Sequence, residues 1–339
     1  MRTLLFFLVA ATAFGQGWAQ TYPSNTTEGL RGVSAVSKKV AWASGTHGTY
    51  LRTTDGGRTW TAAAVPEAGA LDFRAVVAFS ADEAFLMSAG PGDQSRIYHT
   101  ADAGQHWQLQ FRNENPKGFF DSMVFWDATH GIVLGDPIAD EGGVLRFDLL
   151  ITHDGQTWAR MPPGQLPPAM EGEGAFAASN SCLAVVGSDI WFATGGRVAR
   201  VFHSGDRGLS WQVVETPIVH GPESAGIFSI AFRDSVHGVI AGGDYKHPEQ
   251  DGPNLAFTDD GGKTWTVSKI SPQSYYSAVG YDRRRRGRVF IVGPKFVLDL
   301  RLPESSRRVS EGTLFNAVSA YPGGGAVVVG PKGAVGVIR

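Results

Sequence analysis

The stretch Thr258-Asp-Asp260-Gly-Gly262-Lys-Thr-Trp265 decides the fold, because its pattern recurs along the chain. Each copy has Thr or Ser, an Asp two positions later, at least one Gly and a closing Trp. The other copies run from Thr53 to Trp60, Thr100 to Trp107, Thr152 to Trp158 and Ser204 to Trp211. Successive Trp residues are 47, 51, 53 and 54 positions apart, which is close to the length of one four-stranded propeller blade.

Each residue type in this motif has a structural task. The Asp carboxylate can accept bonds from backbone N–H groups of its own turn, and Gly tolerates positive φ. The Trp ring can pack between neighbouring sheets. Repetition at fixed spacing favours structure over catalysis or metal binding. The residues assigned this structural role are Asp55, Trp60, Asp102, Trp107, Asp154, Trp158, Asp206, Trp211, Asp260 and Trp265.

Two further patterns extend the count to seven blades. Apolar innermost strands are predicted to begin at Leu30, Phe73, Phe120, Phe176, Phe228, Tyr276 and Phe315. A second strand that ends near a Gly follows each of them, as in 41–45 and 327–330. The seventh blade lacks an outer strand, and pairing of 18–26 with 334–338 would close the ring. The prediction is an all-β, seven-bladed β-propeller, with 20–339 as its single domain.

The beginning of the chain resembles an export signal. Arg2 precedes the apolar run 4–14, which is too short to span a bilayer. Cleavage after Ala13, Gly15 or Ala19 would satisfy the small-residue rule. We therefore predict a signal peptide over 1–19, a periplasmic or secreted protein and no transmembrane anchor after cleavage.

Charge and cysteine content limit the partners and the chemistry. With a net charge of −2, the chain has no strong positive electrostatic field that would attract nucleic acid. The single Cys182 cannot form an intramolecular disulfide and is expected to be buried. No cofactor and no metal site is predicted. A monomer is expected, although the sequence leaves the oligomeric state open.

The repeats resemble the Asp-box, or BNR-repeat, propellers related to the photosystem II stability and assembly factor. The phrases that carry this resemblance are 30–36, 41–45, 48–60 and 258–265. The family is also similar to sialidases. The resemblance implies a seven-bladed propeller, and its assembly-factor members bind a partner protein without catalysing a reaction.

The more elaborate loops are expected on the propeller face opposite the Asp motifs, which we call the loop-rich face. It comprises the loops between second and third strands and those leading into each innermost strand. Candidate binding residues there are Arg31, Arg74, Arg197, Lys246 and His247. Candidate catalytic carboxylates, none of them assigned, are Asp121, Asp136, Glu171, Glu173 and Asp244. The unrepeated run 171–174 is expected to be a flexible approach to the channel mouth.

Two functions remain open from the sequence. The favoured hypothesis is a non-catalytic scaffold that binds a protein or glycan through the loop-rich face. The alternative is a glycosidase with a carboxylate pair, or a sialidase with Arg31, Arg74 and Arg197 as its arginine triad and Tyr275 as nucleophile. The stretch Leu30-Arg31-Gly32-Val33 lacks the Pro of the sialidase motif.

A separate basic run comprises Arg283 to Arg286 and Arg288. It is placed between the first two strands of blade 6, on the same face as the Asp motifs. The plain interpretation is a solvated turn. The alternative is docking to an anionic protein surface or a lipid headgroup.

Overall fold

The computed structural model describes residues 19–162, 166–270, 274–302, 305–311 and 314–339. Within these ranges the chain forms strands and two short 3₁₀ helices, Gly92–Gln94 and Pro331–Gly333, and no α-helix. The predicted signal segment lies outside the described residues up to position 18, so it stays a prediction.

The first half of the described chain supplies the N-terminal strand and three complete blades. The N-terminal strand is β1 (Ala19–Thr21). Blade 1 contains β2 (Leu30–Ala35), β3 (Ala41–Gly45), β4 (Thr49–Thr53) and β5 (Thr61–Ala64). Blade 2 contains β6 (Phe73–Ala78), β7 (Ala84–Ser88), β8 (Arg96–Thr100) and β9 (Gln108–Arg112). Blade 3 contains β10 (Phe120–Phe125), β11 (Gly131–Ala139), β12 (Leu145–Thr152) and β13 (Ala159–Arg160).

The middle of the chain builds two blades and two short accessory strands. The accessory strands are β14 (Glu173–Gly174) and β17 (Gly195–Gly196), which extend blade 5. Blade 4 contains β15 (Leu183–Val186), β16 (Asp189–Ala193), β18 (Arg200–Ser204) and β19 (Gln212–Glu215). Blade 5 contains β20 (Ala225–Phe232), β21 (Gly238–Asp244), β22 (Leu255–Thr258) and β23 (Thr266–Val267).

The last two blades complete the ring. Blade 6 contains β24 (Ala278–Tyr281), β25 (Arg288–Val292), β26 (Phe296–Arg301) and β27 (Ser305–Glu311). Blade 7 contains β28 (Ala317–Ala320), β29 (Ala326–Val329) and β30 (Val335–Ile338). Strand β1 is its outer strand, with Ala19 opposite Ile338 and Thr21 opposite Gly336. All strand pairs are antiparallel, and the predicted seven-bladed β-propeller is confirmed.

The hydrophobic core is divided among the interfaces between blades. Seven buried clusters are present among the described residues, and each combines residues of two adjacent blades. Leu51 and Trp60 of blade 1, for example, share a cluster with Val327 and Val337 of blade 7. This cluster joins the last blade to the first. The ring is therefore closed by the same kind of apolar packing that joins consecutive blades.

Hydrogen bonds between neighbouring innermost strands reinforce this arrangement. The Ala78 amide donates to Ser34 Oγ at 3.1 Å, and the Ala35 amide donates to Ser319 Oγ at 3.0 Å. An innermost strand has a free backbone edge, and an unpaired buried N–H is costly. Serine hydroxyls of the adjacent blade therefore satisfy donors that the strand's own sheet leaves unpaired.

One innermost strand begins seven residues later than the sequence predicts. Leu30, Phe73 and Phe120 begin their strands as expected. Strands β24 and β28 begin two residues after the predicted Tyr276 and Phe315, and β20 begins three residues before Phe228. In blade 4 the strand begins at Leu183, not at Phe176. The expectation was wrong because residues 175–181 take a different course, described in the next subsection.

The interface between blades 4 and 5 offers a test of this shared packing. Trp191 is fully buried, stacks on Phe232 at 3.7 Å between ring centroids and donates its indole N–H to the Gly261 carbonyl at 2.9 Å. We expect Trp191→Ala to lower the free energy of unfolding by about 3–5 kcal/mol, because it leaves a cavity between two sheets. Chemical denaturation measures this. Leu209→Ala, at a side chain 72% exposed, is the control and should change stability by less than about 0.5 kcal/mol.

Candidate functional site

A segment of blade 4 lies across the end of the propeller on the loop-rich face. We call residues 175–181 the crossing segment. The Ala177 carbonyl accepts a bond from Arg74 of blade 2 at 2.7 Å, and Ser179 Oγ donates to the Ser277 carbonyl beside blade 6 at 2.8 Å. Asn180 Oδ1 accepts the Met123 amide of blade 3 at 2.7 Å. The crossing segment thus joins blades on opposite sides of the ring.

Two carboxyl groups with unusual pKa values lie beside this segment. Asp121, at the start of β10, is 1% exposed, and neither of its oxygens makes a hydrogen bond of ordinary geometry among the described residues. Burial raises its pKa well above the usual range, and Asp136 raises it further, while Arg74 and the Ala177 amide oppose the change by less. Burial therefore favours the protonated, neutral form of the Asp121 carboxyl.

Asp136 is the more accessible member of this pair. Burial raises its pKa to about 6, and a hydrogen bond from the Ala175 amide to Oδ1, 2.9 Å long, lowers it only in part. A carboxyl with a pKa near 6 holds a proton below that pH and can release it above. The structure brings together Asp121 and Asp136 from the candidate carboxylates.

Two arginines interact electrostatically at the same end of the ring. Arg74 Nε donates to Asp72 Oδ2 at 2.7 Å. The Arg31 side chain makes no hydrogen bond or ion pair within the described ranges, and the residue is partly buried. Burial lowers the pKa of Arg31, and the charge of Arg74 lowers it further. Asp72 and Tyr275 oppose this change by less, and Asp72 is already bonded to Arg74, so the Arg31 guanidinium has no hydrogen-bonded counterion in the described residues.

The proposed arginine triad is not assembled. Arg197 is exposed, and its side chain packs against Gly172. No interaction with Arg31 or Arg74 is found for it in the described part of the chain. Burial raises the pKa of Tyr275, and Arg31 lowers it by less. Because a raised pKa makes the phenolate harder to form, Tyr275 is poorly prepared to act as a nucleophile.

Aromatic rings extend the site next to Arg31. Phe176 of the crossing segment stacks on Phe228 with centroids 3.9 Å apart. Tyr275 meets Phe228 edge-on at 4.8 Å. Tyr245 contacts the same ring at 6.1 Å and is 49% exposed. This cluster presents an apolar surface with phenol groups beside the unpaired guanidinium.

Glu173 differs from the flexible acid that the sequence led us to expect. It lies in β14, paired with Gly196, and its side chain has no exposure. Arg200 Nε donates to its Oε1 at 2.9 Å, and Thr194 Oγ1 donates to the same oxygen at 2.6 Å. Both carboxylate oxygens are bonded, because Arg200 and the Met170 amide also reach Oε2. Glu171 is exposed and makes no such contacts.

The ion pair between Glu173 and Arg200 predicts a stability effect. Glu173→Gln should lower the free energy of unfolding by about 3–5 kcal/mol, because it leaves the largely buried Arg200 charge without its partner. Glu171→Gln, two residues away and exposed, is the matched control and should leave stability unchanged. Denaturant titration of both variants makes the comparison. Equal stability of the two would contradict the structural role of Glu173.

Asp244, Lys246 and His247 form a local turn instead of converging on the crossing segment. Asp244 is buried and accepts the Lys246 amide at 2.9 Å and His247 Nδ1 at 2.8 Å. Burial raises the pKa of Asp244, but hydrogen bonds from His247, Ser224 and Lys246 outweigh it, so the net change is a lower pKa. The side chains of Lys246 and His247 are exposed.

The five repeated Asp turns lie on the opposite face and are built alike. In the first copy, Asp55 Oδ1 accepts the amides of Arg58 at 2.9 Å and Thr59 at 3.0 Å. Gly57 has φ of 83° and donates its N–H to Thr53 Oγ1 at 3.1 Å. Hydrogen bonds from Thr59 lower the pKa of Asp55 to about 2.

The other four Asp turns repeat this bonding. The equivalent carboxylates accept backbone N–H groups at 2.7–3.0 Å from residues two to four positions later. They belong to Asp102, Asp154, Asp206 and Asp260. Their pKa values are all lowered, mainly by hydrogen bonds.

The Trp residues of these turns occupy the interfaces between blades. Trp60 packs between blades 1 and 7, and each later Trp packs against the blade before its own. These are Trp107, Trp158, Trp211 and Trp265. Three of the five donate their indole N–H to the turn's own Gly carbonyl.

Several residues of the site were not predicted from the sequence. Asp72, Ala177 and Arg200 were not identified, because their roles depend on contacts between different blades. The crossing segment does carry a signal, since Ala177-Ala-Ser-Asn-Ser181 lacks the alternation of apolar and polar residues expected of an innermost strand.

Two features typical of other classes of function are absent from the described residues. No helix there has the length and apolar character needed to cross a membrane. No three His, Cys, Asp or Glu side chains are grouped so that they could hold a metal ion. Cys182 is buried, and burial raises the pKa of its thiol.

Solved structures of other proteins share this architecture, which defines the class as a seven-bladed β-propeller. A structure of YCF48 bound to D1 peptide matches with a TM-score of 0.67 and 15% identity over 96% of this chain and 98% of that chain. YCF48 from Cyanidioschyzon merolae matches with a TM-score of 0.63 and 16% identity, over 95% of this chain and 98% of that chain. A streptogramin B lyase matches with a TM-score of 0.68 and 10% identity, over 96% of this chain and 99% of that chain. At such identities the matches show the fold alone.

The family model described as the DUF6242 beta propeller domain matches residues 6–236. This chain therefore belongs to the DUF6242 β-propeller family. The search of curated proteins gave no match. The similarity to the photosystem II assembly factor that the sequence indicated is confirmed at the level of fold.

Proposed function

We propose that this chain is an exported scaffold that binds a protein partner through the loop-rich face, with Arg31 receiving a carboxylate of that partner. The single observation that carries the proposal is the unpaired, partly buried guanidinium of Arg31 beside the second cation, Arg74. Burying a charge without a partner is costly. An incoming carboxylate would compensate Arg31 and form a charge-assisted hydrogen bond.

The aromatic cluster gives this position a surface for the rest of the ligand. Tyr245 is half-exposed, and Phe228, Tyr275 and Phe176 support it. Aromatic and arginine side chains together are typical of the energetic centre of protein interfaces. The fold similarity to a propeller bound to a peptide is consistent with a protein ligand. A peptide with an acidic side chain or free chain end fits this combination better than an uncharged glycan.

Export rests on the leader-like sequence, Arg2 followed by the apolar run 4–14. Strand β1 begins at Ala19. Cleavage after Ala13 or Gly15 would keep all three β1 residues, whereas cleavage after Ala19 would remove one. Mass spectrometry of the purified protein identifies the mature N-terminus, and retention of residues 1–13 would contradict export.

The binding proposal is tested with peptides. A random ten-residue library, in free-carboxylate and amidated forms, is selected on the full chain, and the affinity of selected peptides is measured by fluorescence anisotropy. We expect selected peptides to carry a carboxylate and Arg31→Glu to weaken their binding at least tenfold, because it replaces attraction with repulsion. Arg112→Glu, at an exposed arginine at the end of β9, is the control and should bind normally. Unchanged affinity in the Arg31 variant would refute the assignment.

The pKa of Asp136 favours a second candidate function, a glycosidase in which Asp136 is the general acid. Such an acid must be protonated, so turnover should be present below pH 6 and lost as the pH rises through about 6. On a panel of aryl glycosides, Asp136→Asn should lower kcat about 10²–10⁴-fold. Glu223→Gln, at an exposed carboxylate on the same face, is the control. Absence of turnover across the panel removes this candidate and leaves the scaffold.

A further inference from the structure

A basic pocket lies on the face of the Asp turns, where blades 6, 7 and 1 meet. Its volume is about 370 Å³, which is within the range of small-ligand sites. Six of its fourteen lining residues are Lys or Arg, and one is Asp. The basic residues are Lys38, Arg58, Arg284, Arg285, Arg288 and Arg339.

The one acidic residue of the lining is already engaged. Arg288 is buried and donates to Asp299 at 2.8 and 3.1 Å and to Asp282 Oδ2 at 3.1 Å. Asp282 Oδ1 accepts the amides of Arg284 at 2.8 Å and Arg285 at 3.0 Å. Asp282 and Arg288 therefore fix the turn that carries the two exposed arginines, and their own charges are compensated.

The remaining cations are not compensated. The side chains of Lys38, Arg284 and Arg285 make no hydrogen bond or ion pair with any residue that the structure describes. In the described residues, the side chain of Arg58 bonds only to the Asp55 carbonyl, at 2.7 Å, and that of Arg339 only to the Tyr22 hydroxyl, at 3.4 Å. Like charges held around one cavity repel each other, and an anion in that cavity relieves the repulsion.

Two glycines in the pocket lining leave room for the side chains of Lys38 and Arg284. A Cβ on Gly323 would overlap Lys38 Cε and lie 3.0 Å from its Nζ. Gly324 has φ of 87°, and a Cβ there would lie 3.2 Å from Arg284 Cβ. Because both positions lack a side chain, Lys38 from blade 1 and Arg284 from blade 6 line the same cavity.

We propose that this pocket binds a ligand bearing a phosphate group, held by Lys38, Arg284 and Arg285. A phosphate group offers several acceptor oxygens and up to two negative charges, which match planar guanidinium donors and a Lys ammonium. The pocket is on the face opposite Arg31, so this proposal is independent of the peptide site. Both a soluble phosphate compound and a lipid headgroup present this chemistry.

The test uses inorganic pyrophosphate as the probe and isothermal titration calorimetry on the full chain at low salt. We expect saturable binding at one site, weakened by added salt. The double variant Arg284→Ser/Arg285→Ser should lose at least tenfold in affinity. The control double variant, Lys263→Ser/Arg112→Ser, changes net charge equally at exposed positions, and Lys263 occupies the position of Arg58 in another Asp turn. Circular dichroism melting confirms that both variants fold.

A second arm distinguishes the sources of phosphate. Sedimentation with vesicles of phosphatidylcholine, with and without phosphatidylglycerol, reports headgroup binding. Binding of pyrophosphate alone supports a soluble ligand, and additional binding to the anionic vesicles that the double variant loses supports a headgroup. Absence of saturable pyrophosphate binding, or full binding by the Arg284 and Arg285 double variant, overturns the proposal.

Discussion

The structure depends on apolar packing between adjacent sheets. No blade has a core of its own, because each of the seven clusters takes residues from two blades. A sheet with two apolar faces cannot be stable in water by itself, and the ring gives every such face a partner. The cluster between blades 7 and 1 is therefore as necessary as the others, and the pairing of β1 with β30 lies beside it.

The crossing segment changes what the loop-rich face can do. A seven-bladed ring leaves an axial opening, and here residues 175–181 bond to blades 2, 3 and 6 at one end of it. Asp121 is buried beside this segment, which keeps its carboxyl away from water and from any ligand of substantial size. Arg31 and Tyr245 stay accessible. The geometry thus separates an interior carboxyl pair, Asp121 and Asp136, from a cationic and aromatic exterior, and binding at the exterior needs no opening of the interior.

The sequence predicts local features well and contacts between blades poorly. The Asp turns could be predicted because each one is built within eight residues. The strand starts at Leu30, Phe73 and Phe120 could be predicted because an aromatic or aliphatic residue begins an alternating apolar strand. Phe176 was misassigned because its ring packs on Phe228 of another blade instead of starting a strand. The pairing of Glu173 with Arg200 spans 27 residues and depends on how β14 joins the sheet of blade 5. Spacing carries no information about such pairs, nor about the cations that meet in the basic pocket from blades 1, 6 and 7.

The division of the core into separate interfaces has an evolutionary consequence. A substitution in one cluster changes the packing of two blades. Further substitutions in those two blades are enough to restore that packing. Sequences can therefore drift interface by interface while the ring is kept. Propellers that share 10–16% identity with this chain match its fold over nearly its whole length, so very different sequences satisfy the same interfaces. Loops outside the clusters are free of even this limited requirement, so their sequences can change, and new ligands can be accommodated, without unfolding the ring.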